Sequence, residues 1–178
     1  MNRILQPTVA LFLLLSACAT VQPERESILF THDPGWKVGH HAEIPGQYSI
    51  TEYIQEGDNI KNWKELLTIQ NFASPWGGPS PEDALNGLKA VREKTCPAVT
   101  KWNIIAQDQT GLLYEWQAKP CLGWPDQHEV AKIIYGKYSR FLVRYTVKVY
   151  QMPTEHRDKW IKIFSGAMII RSGTPQPK

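Results

Sequence analysis

An α+β domain, with two helices laid over an antiparallel β-sheet, is the fold class this sequence predicts. Three observations carry that expectation. Strand-like alternation of apolar and polar residues recurs in short segments on both sides of a helical one. Two segments instead space their apolar residues for a helix, and each opens on a proline. The connections are short, which favours antiparallel neighbours over parallel crossovers.

Each element has its own local reason. Residues 33–41 (DPGWKVGHH) mix turn formers with one large aromatic and read as loop, with a short edge strand nearby. Residues 48–55 (YSITEYIQ) alternate, are rich in β-branched and aromatic side chains, and stop at the turn cluster Glu56-Gly57-Asp58-Asn59. Residues 63–72 (WKELLTIQNF) fit either a helix or a strand; strand is assigned because a hairpin partner precedes them and Thr68, Ile69 and Phe72 suit a pleated surface. Residues 74–81 (SPWGGPSP) exclude regular structure but close on a helix start, with Ser80 as N-cap, Pro81 at the first helical position and Asp83 three residues after the cap. Leu85, Leu88 and Val91 then share a helical face, which ends near Thr95 ahead of Pro97 and leaves Cys96 at the helix end.

The second half reads as hairpins. Residues 102–107 and 112–118 flank the turn Asp108-Gln109-Thr110-Gly111, with Leu112, Tyr114, Trp116 and Ala118 on one face. Residues 128–135 join 138–150 across Gly136-Lys137, and Phe141, Val143, Tyr145, Val147 and Val149 form an unbroken apolar face. Pro153-Thr154 opens the last helix, in which Trp160, Ile163, Phe164 and Ala167 recur, with Gly173 and Pro175 beyond its end.

Composition bounds the function. The chain has 178 residues, 42% hydrophobic and 21% charged, with a formal net charge of +3. That is one globular domain with enough apolar surface to fold. Its weak positive balance argues against nucleic acid, which demands clustered Lys and Arg.

The first residues carry an export pattern: Arg3, then an apolar run over 9–15, then Ser16, Ala17 and Cys18. The run is far shorter than the roughly 20 residues a membrane span needs. Leu15-Ser16-Ala17-Cys18 resembles the lipobox of bacterial lipoproteins. The resemblance implies that residues 1–17 are a signal peptide removed from the chain and that Cys18 is acylated on its sulfur and its new amino terminus. Ala19, where an aspartate retains such proteins in the inner membrane, implies the outer membrane. The alternative is an ordinary cleaved signal and a free Cys18. Residues 18–27 then form a lipid-anchored tether and 28–178 the single domain.

The element order resembles the Mog1/PsbP-like topology. Asn62-Trp63-Lys64-Glu65-Leu66-Leu67-Thr68-Ile69-Gln70 is similar to an Asn-Trp-x-Glu-x-Leu-Thr-x-Gln pattern of small proteobacterial envelope proteins. Neither likeness implies an activity.

Export into an oxidising compartment makes Cys96 and Cys121 a disulfide pair, worth roughly 3 kcal/mol in the chain-entropy treatment. A redox or nucleophilic cysteine is the competing reading, and it lacks a C-x-x-C spacing. No G-x-S-x-G elbow is present; Ser165 is a helical serine. His32, Asp33, His40 and His41 are the densest ligand cluster, without the spacing of a metal motif. Asp126, His128 and Glu129 follow a Trp-Pro turn, which attracts aspartate for backbone reasons. Gly77-Gly78 lacks the lysine of a phosphate loop. No cofactor and no catalytic constellation are expected; an enzyme would need His40, His41, Asp126 and His128 in one cleft.

Two surface features remain. Arg140, Arg144 and Lys148 lie at strand spacing opposite the valines, with Lys132 on a neighbouring strand. They suit anionic contacts with lipid phosphates or an acidic partner, or the solvated face of a one-sided sheet. Trp36, Trp76 and Trp124 fall in loops beside glycine or proline, either as partner anchors or as lids folded onto the core, whereas Trp102, Trp116 and Trp160 fit core faces. The expected function is that of a non-catalytic outer-membrane lipoprotein on the periplasmic side, binding or supporting an envelope protein assembly. The alternative is a carrier of a small hydrophobic ligand or lipid.

Overall fold

Antiparallel pairing organises most of the chain. The computed structural model describes residues 25–73 and 78–172. They form β1 (Arg25–Leu29), β2 (Trp36–Ile44), β3 (Tyr48–Gln55), β4 (Glu65–Ala73), α1 (Pro81–Thr95), β5 (Thr100–Asp108), β6 (Gly111–Ala118), β7 (Gln127–Tyr135), β8 (Ser139–Val147), α2 (Thr154–Ser165) and β9 (Met168–Ser172). Cys18, residues 1–17 and Trp76 lie outside the described residues.

Seven strands make one sheet in the order β2-β3-β4-β8-β7-β6-β5. Two meanders, β2 to β4 and β5 to β8, are joined where β4 pairs antiparallel with β8, Leu67 opposite Tyr145 and Ile69 opposite Val143. Both edge strands carry a bulge, at Val38/His40 in β2 and at Ile104/Ala106 in β5, which interrupts an edge that would otherwise template a further strand.

The fold is mixed α+β, and the sheet is its larger part. Seven strands at about 4.8 Å spacing are wider than a helix about 10 Å across can blanket. The helices pack on opposite faces. On one face, Trp160 and Phe164 of α2 join Leu67, Leu113, Val130, Phe141, Val143 and Tyr145. Tyr145 and Trp160 stack at 4.2 Å between ring centroids. On the other, Leu85 of α1 joins Leu112, Tyr114, Trp116, Ala131, Ile133 and Leu142. The central strands are therefore buried on both faces, and the face opposite the valines is not the solvated side of a one-sided sheet.

Local chemistry sets the start of α1. Ser80 Oγ accepts from the Asp83 amide at 3.1 Å, with Pro81 at the first turn. Its buried side differs from the expected one: Leu85 is buried and Ala84, Leu88 and Arg92 are half-buried, while Val91 is 68% exposed. Val149 likewise lies past the end of β8 and is 41% exposed.

β1 and β9 pair as a separate ribbon, Arg25 opposite Ser172. This corrects the assignment of 18–27 to a tether, because Arg25–Ser27 belong to the domain. The reason is Glu26, a buried carboxylate that accepts from the amides of Lys137, Tyr138 and Ser139 at 2.8, 2.9 and 2.9 Å and from Arg171 Nε at 3.1 Å. Residues 36–41, expected as loop, are part of strand β2, since an edge strand needs a hydrogen-bonding partner in β3 rather than an apolar face.

Candidate functional site

The site grows from the connection between β6 and β7. The disulfide Cys96–Cys121 ties this connection to the end of α1. Cys96 is the C-cap of α1, its amide donating to Arg92 O at 2.7 Å. Beyond Cys121 the chain reverses in two residues: the Cys121 and Trp124 backbones exchange hydrogen bonds at 3.1 and 2.9 Å. Leu122 and Gly123 at the tip both have positive φ, +50° and +83°. That is the signature of a type I′ turn, which glycine fills without strain and leucine does not. The tip is apolar and open to solvent, with Leu122 77% and Trp124 53% exposed.

Trp124 forms one wall of a cleft of about 220 Å³ on the α1 face of the sheet. Its floor is a cross-strand row, Leu66, Thr146, Glu129 and Trp116. Glu129 is buried and accepts from Trp116 Nε1 and Thr146 Oγ1, both at 2.8 Å. Two cations flank it. Arg92 of α1 lies over the Trp116 ring at 4.6 Å, and Arg144 Nη1 is 3.9 Å from Glu129 Oε2. Burial lowers the Arg92 pKa, opposed by the nearby Glu129 charge. Donors, acceptors and indole faces on a rigid sheet equip this cleft to recognise a polar group beside an apolar one.

The structure distributes the expected site residues unevenly. Arg144 and Trp124 share the cleft, and Lys148 Nζ sits 4.3 Å from the ring centre of Trp63, another lining residue. Arg140 lies apart, lining a second pocket under the N-terminal half of α1. The three cations thus do not share one open face: Arg140 lies under α1, while Arg144 and Lys148 border the cleft. Lys132 is opposite Val143 and points to the other face, donating to Ser165 O at 3.3 Å at the end of α2 and to Ala167 O at 3.1 Å just beyond it. Trp36 is also on that face. It begins β2 and packs edge-on to Tyr145 and Trp160 at 6.3 and 6.0 Å, so it serves the core and is not a loop anchor.

His128 and Glu129 alternate to opposite faces of β7. His128 is buried; its Nδ1 accepts from the Met152 amide at 2.8 Å, so Nε2 carries the proton and donates to Glu115 at 3.3 Å. Glu115 also accepts from Arg157 Nε at 2.6 Å, Arg157 Nη2 at 2.8 Å and Asn103 Nδ2 at 2.8 Å. This network closes the α2 side of the sheet. His40 and His41, on the edge strand β2, do not converge with it. His41 Nδ1 is instead bonded to Thr51 Oγ1 at 2.9 Å. Among the described residues no group of three or more His, Cys, Asp or Glu side chains could hold a metal ion.

Arg92 and Leu122 are the site residues that sequence reasoning missed. A signal for Leu122 was present, because Leu-Gly between Cys121 and Trp124, bracketed by Pro120 and Pro125, spells a tight turn with an apolar tip. Arg92 had none, since its place depends on how α1 is rotated on the sheet. The sequence matches no protein-family model and no curated protein.

Proposed function

We propose that this chain is a lipid-anchored, non-catalytic outer-membrane lipoprotein whose domain faces the periplasm and engages an envelope protein through the Leu122–Trp124 turn and the adjoining cleft. One observation carries the binding role: an apolar leucine occupies a left-handed turn position beside an exposed tryptophan, on a loop stapled by a disulfide. Leucine there costs stability that asparagine or glycine would not, and backbone strain of this kind concentrates at functional sites. An exposed tryptophan on a rigid turn also buries much area at small entropic cost when it meets a partner. The anchor and address rest on the lipobox-like Leu15-Ser16-Ala17-Cys18 and on Ala19. The element order supports placing the domain among Mog1/PsbP-like folds.

Photo-crosslinking in cells tests the binding role. A photoreactive residue at position 122 or 124 is expected to give one discrete adduct, absent from position 91, which is exposed on α1, and from the packed position 36. Absence of an adduct at both turn positions, or equal adducts at 91, counts against it. For the anchor, Cys18→Ser is expected to abolish palmitate incorporation and release the domain from the outer-membrane fraction; unchanged labelling would overturn that part. A second reading, a carrier of a small hydrophobic ligand, is favoured by the pocket under the N-terminal half of α1.

A further inference from the structure

That pocket has a volume of about 200 Å³ and lies between α1 and strands β4, β7 and β8. Its walls are apolar: Phe72, Ala84, Leu88, Ile133 and Leu142. The space exists because α1 sinks only Leu85 fully into the sheet, while Ala84 beside it is too short to fill the gap.

Tyr135 and Arg140, opposite each other in the β7–β8 register, are the lining residues with polar side chains. Arg140 Nε and Tyr135 Oη are both shut off from solvent, and neither has a hydrogen-bond partner among the described residues. Buried polar groups are almost always satisfied, and of the unpartnered buried atoms among the described residues these two belong to neighbouring residues that line one pocket. The guanidinium is held over the Tyr135 ring, 5.9 Å from its centre. Its position is accommodated by Gly78, where a Cβ would lie 2.7 Å from Arg140 Cζ. A charged donor and a phenol at one end of an apolar pocket are complementary to an oxyanion that carries a hydrocarbon tail.

We infer that this pocket binds a single unbranched acyl chain ending in an oxyanion, a carboxylate or a phosphate. Arg140 and Tyr135 donate to the head, and the walls between Phe72 and Leu88 take the tail. At about 200 Å³ the pocket suits a short tail rather than a full-length lipid chain. This assignment is independent of the Leu122–Trp124 turn and survives if that turn has no partner.

The test uses the full-length protein in nanodiscs, titrated with octanoate labelled with carbon-13 at its carboxyl, with octyl phosphate and octanol alongside and empty nanodiscs as background. Saturable octanoate binding is expected, with a carboxyl resonance shift that Arg140→Gln weakens at least tenfold. Octanol is expected to bind at least tenfold more weakly and to be indifferent to Arg140→Gln. Tighter binding of octyl phosphate assigns the head to a phospholipid fragment, and tighter octanoate to a free fatty acid. Leu88→Trp, or Ala84→Leu where Leu88→Trp does not fold, fills the tail space and is expected to abolish binding while the thermal midpoint is kept. Octanol binding equal to octanoate, an Arg140→Gln variant that binds as the parent does, or no saturable binding of either anion overturns the assignment.

Discussion

A single methyl group at Gly136 would stand 2.2 Å from Oε2 of Glu26. The turn between β7 and β8 is thus built around a carboxylate from β1, more than a hundred residues earlier in the chain. Both carboxylate oxygens accept from backbone amides, Oε1 from Lys137 and Oε2 from Tyr138 and Ser139. Whichever way a glutamine at this position is turned, its NH₂ faces an amide donor. Glu26→Gln is therefore expected to lower stability by roughly 2–4 kcal/mol, and Gly136→Ala by about 1–3 kcal/mol. Urea unfolding measures both, and a loss below about 0.5 kcal/mol for Glu26→Gln would remove the carboxylate from its assigned role.

Acid sensitivity follows from the same residue and from Glu115. Burial pushes the Glu115 carboxyl up, but hydrogen bonds from Arg157, Asn103 and His128 outweigh it and hold the pKa at about 2, below the ordinary 4.5. For Glu26, burial also raises the pKa, and the three amides and Arg171 again bring it below 4.5. Both groups are depressed in the folded state, so their stabilisation is fully present above pH about 4.5 and is lost as pH falls toward about 2. For Glu115 the contribution at neutral pH is about 3 kcal/mol. Burial lowers the His128 pKa from 6.5, so the unfolded chain takes up that proton first and a shallower decline begins below pH 6.5. Unfolding free energy measured from pH 7 to 2 is expected to fall gently and then steeply. In Glu115→Gln the steep limb flattens; an unchanged slope would refute the assignment.

Much of this architecture is local enough to be read from the chain. The alternation over β3 and the Ser80-Pro81 start of α1 are sequence-near chemistry, and both elements form where that chemistry places them. The Cys96–Cys121 pair is what the count of cysteines predicts on the expectation of export, and the two are bonded. What stayed illegible depends on distant partners. Glu26 in a polar stretch looks like tether until the amides at 137–139 surround it. β9 is a short strand whose strand partner is β1. The cations at 140, 144 and 148 look solvated until α1 is laid on their face, which turns Arg144 into a cleft wall and leaves Arg140 under the helix. Even the turn of α1 about its own axis, which exposes Val91 and buries part of Arg92, is settled by the sheet beneath it.

The disulfide joins the end of α1 to the loop that displays Trp124, so its loss should be felt in both places. It closes a sequence separation of 25 residues. Replacing Cys96 and Cys121 by alanine is expected to lower stability by about 3 kcal/mol. Trp124 is already half in solvent, and freeing its loop should make it more accessible to acrylamide than in the parent. With the other tryptophans as background, parent and Trp124→Phe quenching curves isolate its contribution. A double mutant with parental quenching would show that the loop holds its shape without the bond.

Leu122 separates stability from function in one substitution. At the first central position of a type I′ turn, asparagine tolerates positive φ and leucine does not, by about 1–2 kcal/mol for a residue with a branched side chain. Gly123 already supplies the second position. Leu122→Asn completes the favoured Asn-Gly pair and is expected to raise unfolding free energy by roughly 0.5–1 kcal/mol. The leucine is 77% exposed, so no core contact is lost in exchange. If the apolar tip is what a partner grips, the same change should cut crosslinking from position 124 at least fivefold while the domain becomes more stable. A stabilised variant that still captures its partner as the parent does would strip Leu122 of its proposed role, and a destabilised one would show that the turn, not the partner, selects leucine.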